Sequence, residues 1–496
     1  MRTSAASRTS TAALLTKGAA WFVGLRWAVR GMGLLSTLIL ARLLVPSDFG
    51  LVSVATSYIV IIEGFFELSL NFALIHDRNA ERSQYDTAFT LGAIRGVLVS
   101  MLVLVSSLVV PAMIGDPRLS AVITVLAFQP LLLGLINPKF VQFERDIDFS
   151  REAILQVGTK LLGVIATITV AVIYRSYWAL VAGLIVLAIA RVFWSYVLAP
   201  YSPRFCLTAF RQLLSFSGWL AGGQMLTTLS TRFDNILVAA LVDIEAAGIY
   251  NVGMEIARLP YAEIIYPLTR VLFPGFNRFT DTPQKLRANV FEAFQAIATI
   301  GIAVGTGFAL IADDFIRLVL GQTWEQIIPM VQILSPFLSS EALVAVAVPL
   351  AMAVGETRGL FQRALLMALV RPPIFVGGLV LMGYLGGVLG AVVAGLFFLA
   401  ISMHLIMIIL QVPLTRLLQP ILRPALAAAA TALLVGALDY KLSAAVTQSD
   451  LFFELIAKVC AGTVTYCAAI LVMWRGAGKP EGLEARVFTL VKSRLF

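Results

Sequence analysis

Arg26 and Arg30 stand four residues apart in an apolar stretch, so a helix there carries two guanidinium groups on one face. Guanidinium donors match phosphate oxygens in pairs and stay charged at any physiological pH. The pair belongs to a larger pattern. Of 37 Lys and Arg residues, eleven lie within apolar stretches: Arg26, Arg30, Arg42, Arg95, Lys160, Arg191, Arg232, Arg258, Arg270, Arg371 and Lys458. Six acids accompany them, Glu63, Glu67, Asp234, Glu255, Glu263 and Glu341. A cation at the bilayer centre costs roughly 2.5–3.5 kcal/mol on the insertion scale, so it faces a cavity or a partner. Such a chain is suited to moving something polar, and its cationic excess points to a negative cargo.

The elements that position these charges are membrane helices. The 496 residues are 59% hydrophobic and only 13% charged, with a mean hydropathy of +0.91. Soluble domains carry about 25% charged residues, so composition indicates a polytopic membrane protein. The net charge of +9 does not indicate nucleic acid, because the basic residues flank apolar spans. Cys206, Cys460 and Cys467 lack metal spacing, and Cys460 and Cys467 read as small packing residues on one helix face. His76 and His404 form no cluster, so neither a metal nor a catalytic site is expected. The N-terminal segment lacks a small-residue cleavage site after a short apolar core and reads as leading into a retained first span.

About twenty apolar residues cross a bilayer as a helix. By that measure fourteen spans are expected, near 18–44, 50–75, 87–114, 119–142, 152–174, 177–199, 212–241, 246–273, 288–312, 327–354, 359–382, 385–411, 420–440 and 452–474. With the N-terminus in the cytoplasm, inside segments hold 22 Lys and Arg, Arg358 and Arg363 among them. The outside segments then hold four, Arg118, Arg175, Arg317 and Lys441. This asymmetry places both termini in the cytoplasm.

Trp21 and Trp219 are 198 residues apart, as are Gly50 and Gly248; Gly115 and Gly321 are 206 apart. Ala182-Gly183-Leu184 recurs as Ala394-Gly395-Leu396 at an offset of 212. The ordered matches predict two six-span lobes, 1–203 and 204–411, related by an axis along the membrane normal, with 412–496 as an added helix pair. The expected fold class is therefore all-α.

Several segments carry a resemblance. They include Ile39-Leu-Ala-Arg-Leu-Leu-Val-Pro-Ser-Asp-Phe-Gly50, Gly115-Asp-Pro-Arg-Leu119, Tyr177-Trp-Ala-Leu-Val181, Arg232-Phe-Asp-Asn235 and Gly248-Ile-Tyr-Asn-Val-Gly253. Glu255-Ile-Ala-Arg-Leu-Pro260, Arg270-Val-Leu-Phe-Pro-Gly275 and Arg317-Leu-Val-Leu-Gly-Gln-Thr-Trp324 complete the set. In this order they resemble the polysaccharide-transporter family, the Wzx-type flippases of the multidrug/oligosaccharidyl-lipid/polysaccharide exporter superfamily. The last two spans resemble it only in hydropathy. The resemblance implies a V-shaped, two-lobed flippase in the bacterial inner membrane. Its substrate would be an undecaprenyl-diphosphate-linked oligosaccharide for exopolysaccharide, O-antigen or capsule. It also implies a monomer working in membrane lipid beside polymerase and chain-length proteins of the same pathway.

The candidate substrate-binding residues are Arg26, Arg30, Arg42, Arg95, Arg258 and Arg270. Arg26 and Arg30 either face the cavity or snorkel to the interface, and Arg42 either contacts substrate or anchors a helix end. Glu63, Glu67, Asp234 and Glu255 are candidates for coupling or for structural ion pairs. A proton or Na⁺ would be the coupling ion, with no other cofactor. Arg95 needs a partner from another helix or the cavity. Glu255, Arg258, Tyr266 and Arg270 fall roughly on one face of the eighth span, with Pro260 and Pro267 between them as marks of bends, and Glu341 and Arg371 either pair with each other or line the cavity. Asp313 and Asp314 read as helix caps. No phosphate-binding Gly-x-x-x-x-Gly-Lys-[Ser/Thr] loop occurs, which excludes ATP as a direct energy source within this chain and fits a transporter instead of an enzyme. A cation-coupled drug exporter of the same superfamily and a membrane polysaccharide polymerase or ligase are the alternatives. The arginine-rich first lobe argues against the former, and the short outside loops against the latter.

Overall fold

The computed structural model describes residues 24–25, 27–67, 70, 74, 81–145, 149–210, 225, 228, 232–265, 272, 276, 279, 282–442, 448–476 and 478. Among the described residues there are helices and no strand. Nine of these helices are long and apolar enough to cross a membrane. Helices suit hydrocarbon because each satisfies its own backbone donors and acceptors. Their outward faces carry large apolar side chains, with Leu433 at 77% and Val472 at 69% exposure, as a lipid-facing surface requires. The chain divides into two compact units, 1–248 and 249–496.

In the first unit, α1 (27–43) leads to α2 (Pro46–Phe65). Proline at the first helical position has no N–H to satisfy, and the Asp48 carboxylate accepts from the Val45 N–H at 3.4 Å. The motif around Pro46 is thus a helix start. Gly50 on α2 meets the segment 244–248 backbone to backbone, so a methyl at Gly50 would strike the Ile244 carbonyl and one at Gly248 that of Pro46. The two glycines matched at the 198-residue offset therefore face each other. The α3 helix (Arg82–Ser106) packs on the short helix Phe128–Gly134, with Gly92 and Gly96 against Gly134. The predicted span 119–142 is interrupted. It runs as Arg118–Leu126, Phe128–Gly134 and a 3₁₀ turn Pro138–Phe140, with Pro130 and Pro138 in the broken parts.

The α4 (Phe149–Tyr174) and α5 (Trp178–Leu198) helices form an antiparallel pair, with Gly183 seated on Thr167 and Gly163. The chain after α5 is strapped to α3. Asp86 accepts from the Tyr201 hydroxyl and from the Arg204 N–H at 3.1 Å, while Thr90 accepts from the Cys206 N–H at 2.9 Å. Burial, then the Asp86 carboxylate, pushes the Tyr201 phenol well above its ordinary range, so it remains a donor at neutral pH.

In the second unit the eighth span is interrupted near Pro260, one of the prolines expected to mark a bend. After α6 (Ile244–Ala257) the chain turns at Arg258 and continues as a π-helical turn, Tyr261–Ile265. A π turn shifts the side-chain register locally. Tyr266 and Arg270 lie outside the described residues. Next come α7 (Pro283–Leu310), α8 (Ala312–Val319) and α9 (Ile328–Ser340), the last prolonged by a 3₁₀ segment Glu341–Val346 and the helix Ala347–Ala353. Gly115 and Gly321, matched in sequence, both take positive φ, +86° and +97°, at the end of a helical segment.

The predicted spans 359–382 and 385–411 form a tight hairpin, α10 (Thr357–Leu410), broken at Met382 and Gly383. Gly383 supplies φ +62°, and Gly378, Gly386 and Gly390 let the limbs meet at backbone distance. Cys460 and Cys467 are exposed on the last helix, so they do not serve as packing residues.

The helices α11 (Leu414–Leu442) and α12 (Gln448–Gly476) close the unit, and a buried charge cluster fixes them. Lys458 on α12 is 2% exposed. Its ammonium donates to Asp314 at 2.6 Å, to Glu454 at 2.9 Å and to Asp439 on α11. Asp313 and Asp314 lie in the first turn of α8, where the helix dipole favours acids, but the N-cap is Ile311. Capping is therefore not their role: Asp314 anchors Lys458, and Asp313 pairs with Arg317 at 2.8 Å.

Two stability outcomes follow. Gly386→Val drives a side chain into the Gly378 carbonyl and should abolish monodisperse protein in detergent, whereas Gly377→Ala, with open space around it, should leave the size-exclusion profile unchanged. Lys458→Ala strands buried carboxylates and should cost about 3–5 kcal/mol. Thermal unfolding reads this, with exposed Arg475→Ala as the neutral comparison.

Candidate functional site

Charges inside the helices of the first unit form the candidate site. Arg30 is half-buried on α1, and Gly33 follows one turn later on the same side. Gly33 leaves room for Lys160 from α4: the position a Gly33 methyl would occupy lies 3.6 Å from Lys160 Cε and Nζ. A half-buried ammonium thus joins the arginine-bearing helix. Lys160 was counted among the intramembrane cations but not among the expected binding residues. Its signal was Gly33, whose missing side chain makes a berth for a long neighbour. Arg42, at the end of α1, is exposed. Arg26 lies outside the described residues.

Arg95 on α3 has the interhelical partner its position demanded. Its Nη2 lies 3.0 Å from Glu67 Oε2, just past the end of α2, and reaches the Glu63 carbonyl oxygen at 3.5 Å. The side chains of Arg95 and Glu67 are 28% and 32% exposed, so the pair is partly open to its surroundings. Glu63 sits one turn before Glu67, half-buried, with Arg95 as the cation acting on it. The first unit thus carries two charged groups, Arg30 and Lys160 on α1 and α4, and Arg95 with Glu63 and Glu67 on α3 and the end of α2. Asp234 is buried beside Asn235, whose side-chain amide donates to Ser57 on α2 at 3.2 Å.

In the second unit, Glu255 is half-buried near the end of α6 and Arg258 is exposed at the turn after it. Arg371 and Arg258 are the cations acting on Glu341. This agrees with the expectation that Glu341 and Arg371 attend to each other, and it adds Arg258. Among the described residues no group of three or more His, Cys, Asp and Glu side chains is arranged to hold a metal ion.

Chemically, these first-unit charges offer guanidinium and ammonium donors to an anion, while Glu67 holds one of the arginines. An arriving phosphate and a carboxylate would compete for the same donors, the arrangement from which an exchange of ion pairs can be made.

A family model described as polysaccharide biosynthesis protein matches residues 39–329. Lipopolysaccharide biosynthesis protein WzxC of Escherichia coli (strain K12) is 24% identical over 325 residues, 64% of this chain and 65% of that protein, just under two thirds of its length. The succinoglycan biosynthesis transport protein ExoT of Rhizobium meliloti (strain 1021) is 22% identical over 478 residues, 94% of each. Among solved structures, the lipid II flippase MurJ in an inward closed conformation gives a TM-score of 0.72 at 11% identity, covering 92% of this chain and 99% of that one. An inward-facing multidrug resistance MATE family transporter of the MOP superfamily gives 0.58 at 15% identity, covering 76% and 95%. The structural likenesses establish the fold, and the family model spans more than half of the sequence: the chain belongs to the polysaccharide biosynthesis protein family.

Proposed function

We propose that the protein is a flippase that carries undecaprenyl-diphosphate-linked oligosaccharide units from the cytoplasmic to the periplasmic leaflet of a bacterial inner membrane. The observation that carries this reading is the set of half-buried cations, Arg30, Lys160 and Arg95, inside the helices of a polysaccharide biosynthesis family member. Sugars and diphosphate cannot cross hydrocarbon unaided, whereas a polyprenyl tail stays in lipid. Cations held within the membrane lower the barrier for the diphosphate. The names of the relatives, a lipopolysaccharide biosynthesis protein and a succinoglycan transport protein, fit a lipid-linked glycan and a transporter that is not an enzyme. The charge distribution of the loops supports cytoplasmic termini.

The membrane potential, negative inside, helps an anionic head move outward by about 2.3 kcal/mol per charge per 100 mV. A further switch is available in the acids. Substrate that takes over Arg95 releases Glu67, and a released carboxylate can accept a proton from the outer side. Arg30 and Lys160 bind the diphosphate, Arg95 exchanges between substrate and Glu67, and Glu63 or Glu67 carries the proton.

In cells, Arg30→Ala should abolish polysaccharide export at unchanged protein level and trap undecaprenyl-linked repeat units on the cytoplasmic face. Normal export by the stable variant removes Arg30 from the site, and periplasmic accumulation of unpolymerised units supports a polymerase instead. In proteoliposomes, the Glu63→Gln, Glu67→Gln double variant should lose the pH dependence of transport. Unchanged pH dependence transfers the coupling role to Asp234 or Glu255.

A further inference from the structure

The second unit holds a buried cation that the described chain does not neutralise. Arg363 lies near the start of α10 and is 7% exposed. The loop count placed it in a cytoplasmic flank, but it is turned inward against the returning limb of the hairpin. Its Nη1 donates to the Ser402 hydroxyl at 2.9 Å, and its guanidinium carbon stands 4.7 Å from the centre of the Phe398 ring. Its Nε is buried with no hydrogen-bond acceptor, and among the described residues no carboxylate offsets its burial. Lys458 shows the contrast, since three carboxylates surround it. An uncompensated buried charge is strongly unfavourable, so Arg363 calls for an anion beyond those the described residues supply.

Space for that anion is present. Arg363 lines a cavity of about 410 Å³ together with Glu341, Tyr261 and Phe398, and Val344 and Val348 are among its apolar walls. Arg371 and Arg258 are the cations acting on Glu341. The Glu341 carboxylate in the lining is thus attended by cations other than Arg363. The volume is that of a site for a ligand well beyond a single inorganic ion, in the range of about 300–1,000 Å³. A cation set among apolar walls fits an amphiphile with an anionic head, and guanidinium matches phosphate oxygens best.

We propose that this cavity is a lipid-phosphate site, in which Arg363 binds the phosphate and the Val344 and Val348 wall takes the apolar part. Two lipids of the same membrane offer that chemistry, a glycerophospholipid and a polyprenyl phosphate. The site is formed by residues of the second unit alone and uses none of Arg30, Lys160 and Arg95, so it holds whether or not the flippase reading does.

The test uses the full-length protein, purified and delipidated in mild detergent, with native mass spectrometry and thermal unfolding as readouts. The probes are phosphatidylglycerol, undecaprenyl phosphate and phosphate-free diacylglycerol. Wild type should retain one phosphate lipid at least tenfold more tightly than diacylglycerol, and that lipid should raise its melting temperature. Arg363→Met should lose both effects while folding at least as well in the lipid-free state. Selective retention of phosphatidylglycerol assigns the bilayer as the source, and of undecaprenyl phosphate the carrier lipid; either supports the site. Equal retention of diacylglycerol and the phosphate lipids by wild type overturns the proposal without any variant, and so does unchanged selectivity in a folded Arg363→Met protein.

Discussion

A charge inside hydrocarbon must find an opposite charge, a hydrogen-bonding group or water, and this constraint orders the polar residues of the protein. Lys458 meets it completely, with carboxylates from α8, α11 and its own helix. Arg95 meets it with Glu67 and with the exposed carbonyl end of α2. These two cations show that a count of intramembrane charge overstates the positive surface offered to cargo. Lys458 binds the C-terminal helix pair to the rest of its unit, and its charge is consumed there. On the proposed function, Arg30 and Lys160, both half-buried, bear on the anionic substrate, with Arg95 shared between structure and site.

Close backbone approach is the second requirement. Hydrocarbon supplies no strong hydrophobic drive between helices, so membrane helices associate through tight packing that small residues permit. Gly50 against the 244–248 segment, Gly92 and Gly96 against Gly134, and Gly378 against Gly386 are three instances in separate parts of the chain. Gly33 uses the same vacancy differently, admitting a lysine stem where the others admit backbone. The same residue type thus serves packing at one position and the site at another.

Class and helix order were legible because they depend on hydropathy along the chain, and the break between residues 382 and 385 was legible because turn chemistry is local. The glycine offsets found Gly50 with Gly248 and Gly115 with Gly321, pairs that respectively touch and share a positive φ. Partnerships across helices were not legible. Lys458 and Asp314 are 144 residues apart, and nothing along the chain reports how one helix is rotated toward another. Arg363 was hidden for a related reason, since the loop count assigns residues by distance from a span end and not by the direction of the side chain. The π turn after Arg258 was not legible, because such a turn leaves no strong trace in hydropathy. Arg26 and Arg270 lie outside the described residues, so the expectations placed on them rest on sequence alone.

The degree to which an ion pair is sealed decides whether it can take part in a cycle. Lys458 and Asp314 are 1% and 4% exposed at their side chains, and separating them would leave both charges in a low-dielectric interior. Such a pair holds one arrangement. Arg95 and Glu67, near 30% exposed, can part without that cost, since an incoming anion or water can take the place of either partner. A ligand shifts a conformational equilibrium only by the difference in its affinity for the two states. An anion that replaces Glu67 on Arg95 supplies such a difference at the point where α2 and α3 meet, while the sealed pair keeps α12 fixed to its own unit. On the proposed function, the division between sealed and open ion pairs therefore separates the part of the chain that serves as scaffold from the part that can respond to substrate.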